Sequence, residues 1–285
     1  MKKVALAADM IKYKLSLAVM FSAVTGYFIA GGVLNFSLLL LCFGIFLLSS
    51  GAAALNQFTE SDTDALMTRT RNRAIPSKSV SRSTVRNLAF LLILAGIILL
   101  SATGIIPVLL GLCALLLYNV VYTGLKKITI FSVVPGAMVG AIPPLIGYFA
   151  AGSSNHPGVI FLFSAFMFMW QIPHFWLILI RYRDDYNRVG FRTFREEIPG
   201  SFIKFMVFFW VLITSAGLII FSVLNPVFSQ GINLVLVILN PIFIILFCTL
   251  LFGKKYDPSL KGAFILVNSF SLLVMIMFIV NSFIG

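Results

Sequence analysis

The sequence predicts an all-α membrane protein, a polytopic bundle of about nine transmembrane helices that form one domain over residues 1–285. The chain is 60% hydrophobic and only 11% charged, whereas soluble domains are about 45–50% apolar and about 25% charged. Its apolar stretches are about 18–24 residues long, enough to cross about 30 Å of hydrocarbon at about 1.5 Å per residue. The surrounding solvent is therefore predicted to be a lipid bilayer.

Turn-forming residues separate the apolar stretches. Gly31-Gly32 ends the first stretch, Gly104 ends the third, and Asn225-Pro226 follows the seventh. A polar segment over residues 153–157 separates the fifth stretch from the sixth. In chain order the predicted spans are 15–34, 36–58, 87–104, 105–124, 130–151, 159–180, 201–223, 232–252 and 262–284.

With nine spans, every charged residue falls on one side of the membrane. All 21 Lys and Arg and all 9 Asp and Glu lie at the N-terminus or around the loops on that side. The positive-inside rule places this side in the cytoplasm, and the C-terminus opposite, for a protein of the plasma (inner) membrane. The net charge of +12 suits this topology. The composition leaves little room for the basic face on a folded domain that binding to nucleic acid requires. No nucleic acid is predicted as a partner.

An acidic segment ends the second span. Asn56, Glu60 and Asp64 are spaced i, i+4, i+8, so on a helix they share one face. Mg²⁺ uses one or two carboxylates together with the oxygens of a bound phosphate. A metal site is one interpretation of this stripe, and a solvated helix end is the other. Asp62 points away from the stripe.

Basic residues follow directly and favour the metal interpretation. Arg69 and Arg73 lie a few residues beyond Asp64, and guanidinium groups suit the oxygens of a metal-bound diphosphate. Positive-inside topology alone would also place cations here. A second acidic segment with Asp184-Asp185 follows the sixth span, four spans later. This offset suggests a repeat whose two acidic ends face one cavity.

Several stretches resemble the intramembrane (UbiA-type) prenyltransferases and, within them, the branch that farnesylates protoheme IX. The Gln171–Trp176 string is the specific part, and the likeness runs from about residue 12 to 190, with only hydropathy matching beyond. The stretches are Asn56–Arg73 with its Asp-rich motif; Tyr118-Asn119 with Tyr122, Thr123 and Lys126; Gly140-Ala141 with Pro143-Pro144 and Gly147-Tyr148; and Trp170-Gln171-Ile172-Pro173-His174-Phe175-Trp176 followed by Asp184-Asp185-Tyr186 and Gly190.

The resemblance implies transfer of a farnesyl group from farnesyl diphosphate to the vinyl group of protoheme IX, with addition of water to give heme O. It implies Mg²⁺ as cofactor and membrane enzymes of the heme pathway as partners. The implied metal ligands are Asn56, Glu60, Asp62, Asp64 and Asp185; Asn56, Asp64, Tyr118 and Tyr122 are the catalytic residues; Arg69, Arg73, Lys126, Tyr148, Trp170 and His174 bind substrates. Arg69, Arg73 and Lys126 would hold diphosphate, the aromatic faces would stabilise an allylic cation, and His174 would serve heme.

The sequence also departs from the family pattern. Glu60 stands where the family commonly has Asp, which a metal site tolerates, and Ala74 replaces a proline. Residues 191–197 replace an apolar stretch that the family has in the second loop, which affects the expected acceptor.

Two alternative functions remain open. A UbiA-type prenyltransferase for an aromatic quinone precursor would share the metal residues without needing His174. A heme or lipid transporter, or a membrane assembly factor, could use the same bundle. The acids and bases on one face argue against transport, which needs no diphosphate site.

Overall fold

A computed structural model describes residues 2–152, 155–191, 199–224, 228–253 and 256–284. Within these ranges the regular secondary structure is helical throughout, and eight helices are long and apolar enough to cross a membrane. The predicted polytopic all-α fold class is thereby confirmed. The first predicted span corresponds to a shorter apolar helix of 17 residues.

The helices follow the predicted order. α6 continues through a π-helical turn over Leu117–Tyr122 into α7, and a short 3₁₀ turn over Ile130–Ser132 precedes α8. The helices are α1 (Lys2–Met10), α2 (Tyr13–Ile29), α3 (Phe36–Thr59), α4 (Ser61–Leu66), α5 (Arg82–Ser101), α6 (Ile105–Leu116), α7 (Thr123–Leu125), α8 (Val133–Ala150), α9 (Pro157–Arg181), α10 (Arg183–Arg188), α11 (Gly200–Leu224), α12 (Gln230–Phe252) and α13 (Tyr256–Ile284).

Three helix boundaries differ from the prediction by a turn or more: α13 begins at Tyr256 rather than at 262, and capping explains the other two. α2 ends at Ile29 rather than at 34 because Gly31 adopts a left-handed φ of 81°, and Asn35 then caps α3 by accepting from the Leu38 N–H at 3.1 Å. α5 begins at Arg82 rather than at 87 because the Ser81 hydroxyl accepts from the Thr84 N–H at 3.1 Å. Hydropathy cannot locate these boundaries, because Val33 and Leu34 are apolar although they lie outside the helix, and the first turn of α5 is polar although it is helical.

The bundle has two halves joined by α8. One buried cluster combines side chains of α2, α3, α5, α6 and α8, and a second combines α9, α11, α12 and α13 with Tyr148 of α8. α13 also packs against α2, so the last transmembrane helix returns to the first. This arrangement surrounds the space between the halves with helices.

Glycines allow the closest contact between these helices, at the crossing of α2 and α8. A Cβ on Gly26 would overlap the backbone carbonyl of Pro144, and a Cβ on Gly147 would overlap that of Ala23. Small residues at such crossings permit the backbone packing that holds membrane helices together. The close α2–α8 contact fixes one wall of the space between the halves.

Most of the atypical 191–197 loop lies outside the described residues, which stop at 191 and resume at 199. Phe191 itself is described and buried, and it forms a small cluster with Met67 and Tyr186. The two loops that carry the acidic segments therefore meet through apolar side chains.

Candidate active site

A cavity of about 480 Å³ lies between the two halves of the bundle. Side chains of α2, α3, α6, α8, α9 and α13 line it. Its walls are mostly apolar, and polar groups gather where α3 ends. We call this region the charged end, comprising Lys12, Asn56, Glu60, Asp64, Arg69, Arg73 and Lys126.

The predicted stripe of Asn56, Glu60 and Asp64 persists although the helix breaks within it. α3 ends at Thr59 and α4 begins at Ser61. The Glu60 N–H still donates to the Asn56 carbonyl at 3.0 Å, and the Asp64 N–H donates to the Glu60 carbonyl at 2.8 Å. These hydrogen bonds keep the i, i+4, i+8 relation across the break, and all three side chains are buried at the cavity.

Each carboxylate of the stripe has a cationic partner from another segment. Asp64 accepts a hydrogen bond from the guanidinium of Arg73 at 2.6 Å. Glu60 forms an ion pair with Lys126, which follows α7. A buried carboxylate needs such compensation, because removing an isolated charge from water costs on the order of several kcal/mol.

Hydrogen bonds also determine how the Asn56 amide points. The Thr123 hydroxyl donates to the Tyr118 carbonyl at 2.9 Å, so it can only accept from the Asn56 Nδ2, which lies 3.2 Å away. The Asn56 Oδ1 is then turned the other way and accepts from Lys12 Nζ at 3.3 Å. An acceptor oxygen thus joins the two carboxylates at the charged end.

Lys12 belongs to the charged end although the sequence pattern did not single it out. It has a left-handed φ of 45° between α1 and α2, and the buried Gln57 fixes this turn by donating to the carbonyls of Asp9 and Met10 at 2.9 and 3.1 Å. Burial, together with the nearby Arg73, lowers the pKa of Lys12 to about 7 against the opposing effect of Glu60. In the sequence, Lys12 reads as one more cytoplasmic cation.

Asp185 and Asp62 lie near the charged end without being among the residues that line the cavity. The Asp185 carboxylate accepts the backbone N–H of Thr68 at 2.9 Å and that of Arg69 at 3.0 Å. Burial acts to raise the pKa of Asp185, but these hydrogen bonds outweigh it and lower the pKa. Asp62 is 82% exposed and pairs with the exposed Arg82. The two acidic segments do meet, with Asp185 binding the first loop.

The aromatic residues predicted beside the charged end lie on the π-helical turn. Tyr118 and Tyr122 both line the cavity, and their rings stack with centroids 5.9 Å apart. The ammonium of Lys126 lies 5.6 Å from the centre of the Tyr122 ring, and Phe175 contacts the same ring at 5.5 Å. π-helical turns are rare and occur frequently at functional sites. Here the turn presents two aromatic side chains next to the carboxylates.

Trp170 and His174, which both lie on α9, also line the cavity, whereas Tyr148 does not line it. The Trp170 indole donates to the Val267 carbonyl of α13 at 2.9 Å, and His174 Nδ1 lies 3.1 Å from the Asn268 Oδ1. Tyr148 is 3% exposed and packs in the core of the second half. Its ring contacts that of Phe149, with centroids 5.4 Å apart.

The charged end has the composition of a site for a metal-bound polyanion. Among the described residues that line it, four are cationic and two are anionic. In the described part of the chain, no three His, Cys, Asp or Glu side chains are close enough to hold a metal by themselves. A Mg²⁺ ion would need oxygens from its ligand as well, which is how Mg²⁺ commonly binds beside phosphates.

Comparisons with known proteins show which family this chain resembles. The model of the UbiA prenyltransferase family matches residues 19–281. The chain is 34% identical over 239 residues to protoheme IX farnesyltransferase of Geobacter sulfurreducens, covering 82% of this chain and 88% of that protein. It is 29% identical over 283 residues to protoheme IX farnesyltransferase of Flavobacterium psychrophilum, covering 96% and 93%.

Solved structures share the fold at low sequence identity. A digeranylgeranylglyceryl phosphate synthase superposes with a TM-score of 0.75 at 15% identity, covering 99% of both chains. A UbiA homologue from Archaeoglobus fulgidus bound to DMAPP and Mg²⁺ superposes with a TM-score of 0.71 at 12% identity, covering 97% of both. The family match and the eight apolar helices make this chain an integral multi-pass membrane protein. It belongs to the UbiA prenyltransferase family.

Proposed function

We propose that this chain transfers the farnesyl group of farnesyl diphosphate to a vinyl group of protoheme IX, with addition of water, to give heme O and diphosphate. One observation carries the proposal: a single cavity joins the charged end to an apolar interior that contains His174. The relatives named protoheme IX farnesyltransferase support this choice of substrates. The product would serve a later membrane enzyme of the heme pathway.

The charged end would bind the diphosphate. Asn56, Glu60 and Asp64 would hold Mg²⁺, in keeping with the metal in the Archaeoglobus fulgidus relative. Bound there, Mg²⁺ supplies charge neutralisation to the departing diphosphate oxygens. Arg73 and Lys126 form ion pairs with Asp64 and Glu60, and their side chains can turn from the carboxylates to the diphosphate.

Two further cations complete the diphosphate site. Lys12 approaches from the turn between α1 and α2, and Arg69 lies at the exposed rim of the cavity. The Asp185 carboxylate fixes the backbone that carries Arg69. We therefore assign Asp185 to positioning this loop and leave Asp62 and Tyr148 out of the proposed site.

Breaking the bond between farnesyl C1 and its oxygen places positive charge on an allylic group. The stacked rings of Tyr118 and Tyr122 lie beside the carboxylates, where their faces would attract that charge by about 0.5–2 kcal/mol each. The mostly apolar walls exclude water that would otherwise capture the cation early. They also provide space for an isoprenoid chain.

His174 and Trp170 would receive the acceptor. The terminal vinyl carbon of protoheme forms the new bond to farnesyl C1, and the resulting cation beside the porphyrin ring binds water, which then loses a proton. A neutral imidazole is a common iron ligand, so His174 would hold the heme iron while Trp170 contacts the macrocycle. Both residues lie on the face of α9 that lines the cavity.

The membrane orientation is part of the proposal. We infer that one domain crosses the inner membrane nine times, with α2 as the first crossing, and that its N-terminus and charged end face the cytoplasm. The confinement of all charged residues to one side supports this topology. Farnesyl diphosphate would then reach the charged end from the cytoplasm while its chain enters the bilayer interior.

Reconstitution tests the proposed reaction. Purified protein in lipid nanodiscs receives heme B, farnesyl diphosphate and Mg²⁺, and mass spectrometry follows heme O. We expect heme O with Mg²⁺ and none with EDTA. Parallel reactions replace heme B by 4-hydroxybenzoate as an aromatic quinone precursor. Prenylation of that ring without heme O would contradict the proposal in favour of another prenyltransferase, and absence of any prenylated product would favour transport or assembly.

A further inference from the structure

A hydrogen bond connects His174 to the last transmembrane helix. His174 Nδ1 on α9 lies 3.1 Å from Oδ1 of Asn268 on α13, and the two residues are 94 positions apart. Both side chains line the cavity. Asn268 lies beyond the motifs that the sequence analysis singled out, although the family match itself extends to residue 281.

A second hydrogen bond fixes the orientation of the Asn268 amide. Its Nδ2 lies 2.6 Å from the carbonyl oxygen of Phe264, four residues earlier on the same helix. A carbonyl can only accept, so the NH₂ group must face Phe264. The opposite orientation would bring two acceptor oxygens together. Oδ1 is therefore the atom that faces the histidine.

This orientation selects the tautomer of His174. Because Asn268 Oδ1 can only accept, Nδ1 of His174 must carry the proton that it donates. Nε2, on the other side of the ring, then has no proton and keeps a lone pair. That lone pair is what an imidazole offers to an iron ion, so the tautomer matters for the acceptor's binding.

A neighbouring hydrogen bond keeps this pair in register. Trp170, one helical turn before His174, donates to the carbonyl of Val267, which directly precedes Asn268. The His174 ring is also packed between Trp170 and Phe264, with centroids 5.2 and 4.9 Å away. The hydrogen bond to Asn268 and the ring contact with Phe264 thus hold the imidazole against α13, and the Trp170 hydrogen bond ties the neighbouring turn of α9 to the same helix.

We infer that Asn268 is a positioning residue: it holds His174 as the Nδ1–H tautomer and directs the Nε2 lone pair to the heme iron of the acceptor. The inference rests on the proposed function, because it takes the acceptor to be a heme. When a histidine binds a metal through one ring nitrogen, an acceptor for the N–H of the other nitrogen orients the ring and raises the basicity of the ligand. Loss of such an acceptor costs about 10–100-fold in metal affinity or activity.

Heme spectroscopy on the full chain tests this inference without farnesyl diphosphate. Ferrous heme B is titrated into wild type and variants, and resonance Raman spectroscopy measures the iron–histidine stretch. Asn268→Leu keeps the volume but removes the acceptor, so we expect a lower stretching frequency and a heme affinity reduced about tenfold or more. Asn268→Asp keeps an acceptor oxygen for Nδ1, and the hydroxyl of its protonated form can donate to the Phe264 carbonyl, so this variant should restore both values.

Two further variants separate positioning from general effects on folding. His174→Ala should abolish the iron–histidine stretch. Asn240→Leu is the matched control: Asn240 is buried on α12 and donates to the Ser215 carbonyl of α11 at 3.0 Å, away from the residues that line the cavity. Loss of this hydrogen bond in Asn240→Leu should lower the thermal midpoint of unfolding without changing the heme spectrum.

Three results would overturn the inference: a wild-type spectrum in Asn268→Leu, a spectrum in Asn268→Asp that matches Asn268→Leu, or a retained iron–histidine stretch in His174→Ala. Failure of the proposed function would give a different result from these three. In that case the wild-type protein would make no heme O in the reconstituted reaction, whatever the spectra of the heme-bound variants.

Discussion

The two acidic segments look alike in the sequence and differ in what their carboxylates contact. Asp64 and Asp185 each follow a long transmembrane helix, and both are buried, at 3% and 6% exposure. Asp64 lines the cavity and pairs with the Arg73 side chain. Asp185 instead accepts two backbone N–H groups from the first loop, and its cationic neighbour, the exposed Arg188, lies farther away at 3.7 Å. A side-chain cation can turn toward an incoming diphosphate, whereas backbone donors leave only if the loop moves.

The largest effect is therefore expected at Asp64. Asp64→Asn keeps the shape of the side chain but removes the negative charge that would hold the metal. Loss of one such electrostatic contact in an active site costs about 10²–10³-fold in rate. We expect farnesyl transfer to fall by that factor, measured as heme O formed per minute at saturating heme. Full activity with unchanged Mg²⁺ dependence would remove Asp64 from the proposed site.

Substitution of Lys126 is expected to have the second-largest effect. Lys126→Gln removes the cation paired with Glu60, so the bound diphosphate loses one contact and Glu60 loses its buried partner. We expect the KM for farnesyl diphosphate to rise about 10–100-fold, because an ionised hydrogen-bond partner contributes about 1.5–3 kcal/mol. The KM for heme should stay within about twofold, because Lys126 is not proposed to make a hydrogen bond to the acceptor. Equal changes in both KM values would indicate general damage to the cavity.

Substitution of Asp185 is expected to have a smaller effect on activity, which acts through the position of the first loop. Asp185→Asn keeps one acceptor oxygen but loses the other, so the Thr68–Arg69 backbone loses one of two hydrogen bonds. A partner that only orients the residues of a site costs about tenfold at the low end of the measured range. We expect activity to fall about tenfold with an unchanged Mg²⁺ concentration for half-maximal rate. A shifted Mg²⁺ dependence would instead make Asp185 a metal ligand.

Asp62 should show the smallest effect. It is 82% exposed, and its ion pair with Arg82 is solvated, so the pair contributes about 0–1 kcal/mol. We expect Asp62→Asn to retain activity within about twofold and the thermal midpoint within a few degrees, as that energy implies. This variant is the matched control for Asp64→Asn. A loss comparable to that of Asp64→Asn would show that charge in this segment matters regardless of position.

Sequence patterns were sufficient to predict much of this arrangement. Segregated charges and long apolar stretches predicted the helical membrane bundle, since only lipid tolerates such a surface. The four-residue spacing predicted that Asn56, Glu60 and Asp64 share a face, because that relation depends on local hydrogen bonds. The break at Glu60 leaves those bonds in place.

The remaining site residues depend on contacts that no local pattern encodes. Lys12 reaches the charged end because Gln57 holds the turn before α2, and Asn268 reaches His174 because α13 packs on α9. Tyr148 was a plausible aromatic candidate, yet tertiary packing places it in the core of the second half. In a chain with 29 Phe, aromatic character alone cannot distinguish cavity walls from packing.

Metal binding distinguishes the two acidic segments most directly. Mn²⁺ replaces Mg²⁺, an unreactive thiolo analogue of farnesyl diphosphate is added, and electron paramagnetic resonance counts bound Mn²⁺ in four proteins. We predict that wild type, Asp62→Asn and Asp185→Asn bind Mn²⁺ together with the analogue and that Asp64→Asn does not. Retained Mn²⁺ in Asp64→Asn, with loss in Asp185→Asn, would contradict the assignment of the metal and diphosphate to the first acidic segment.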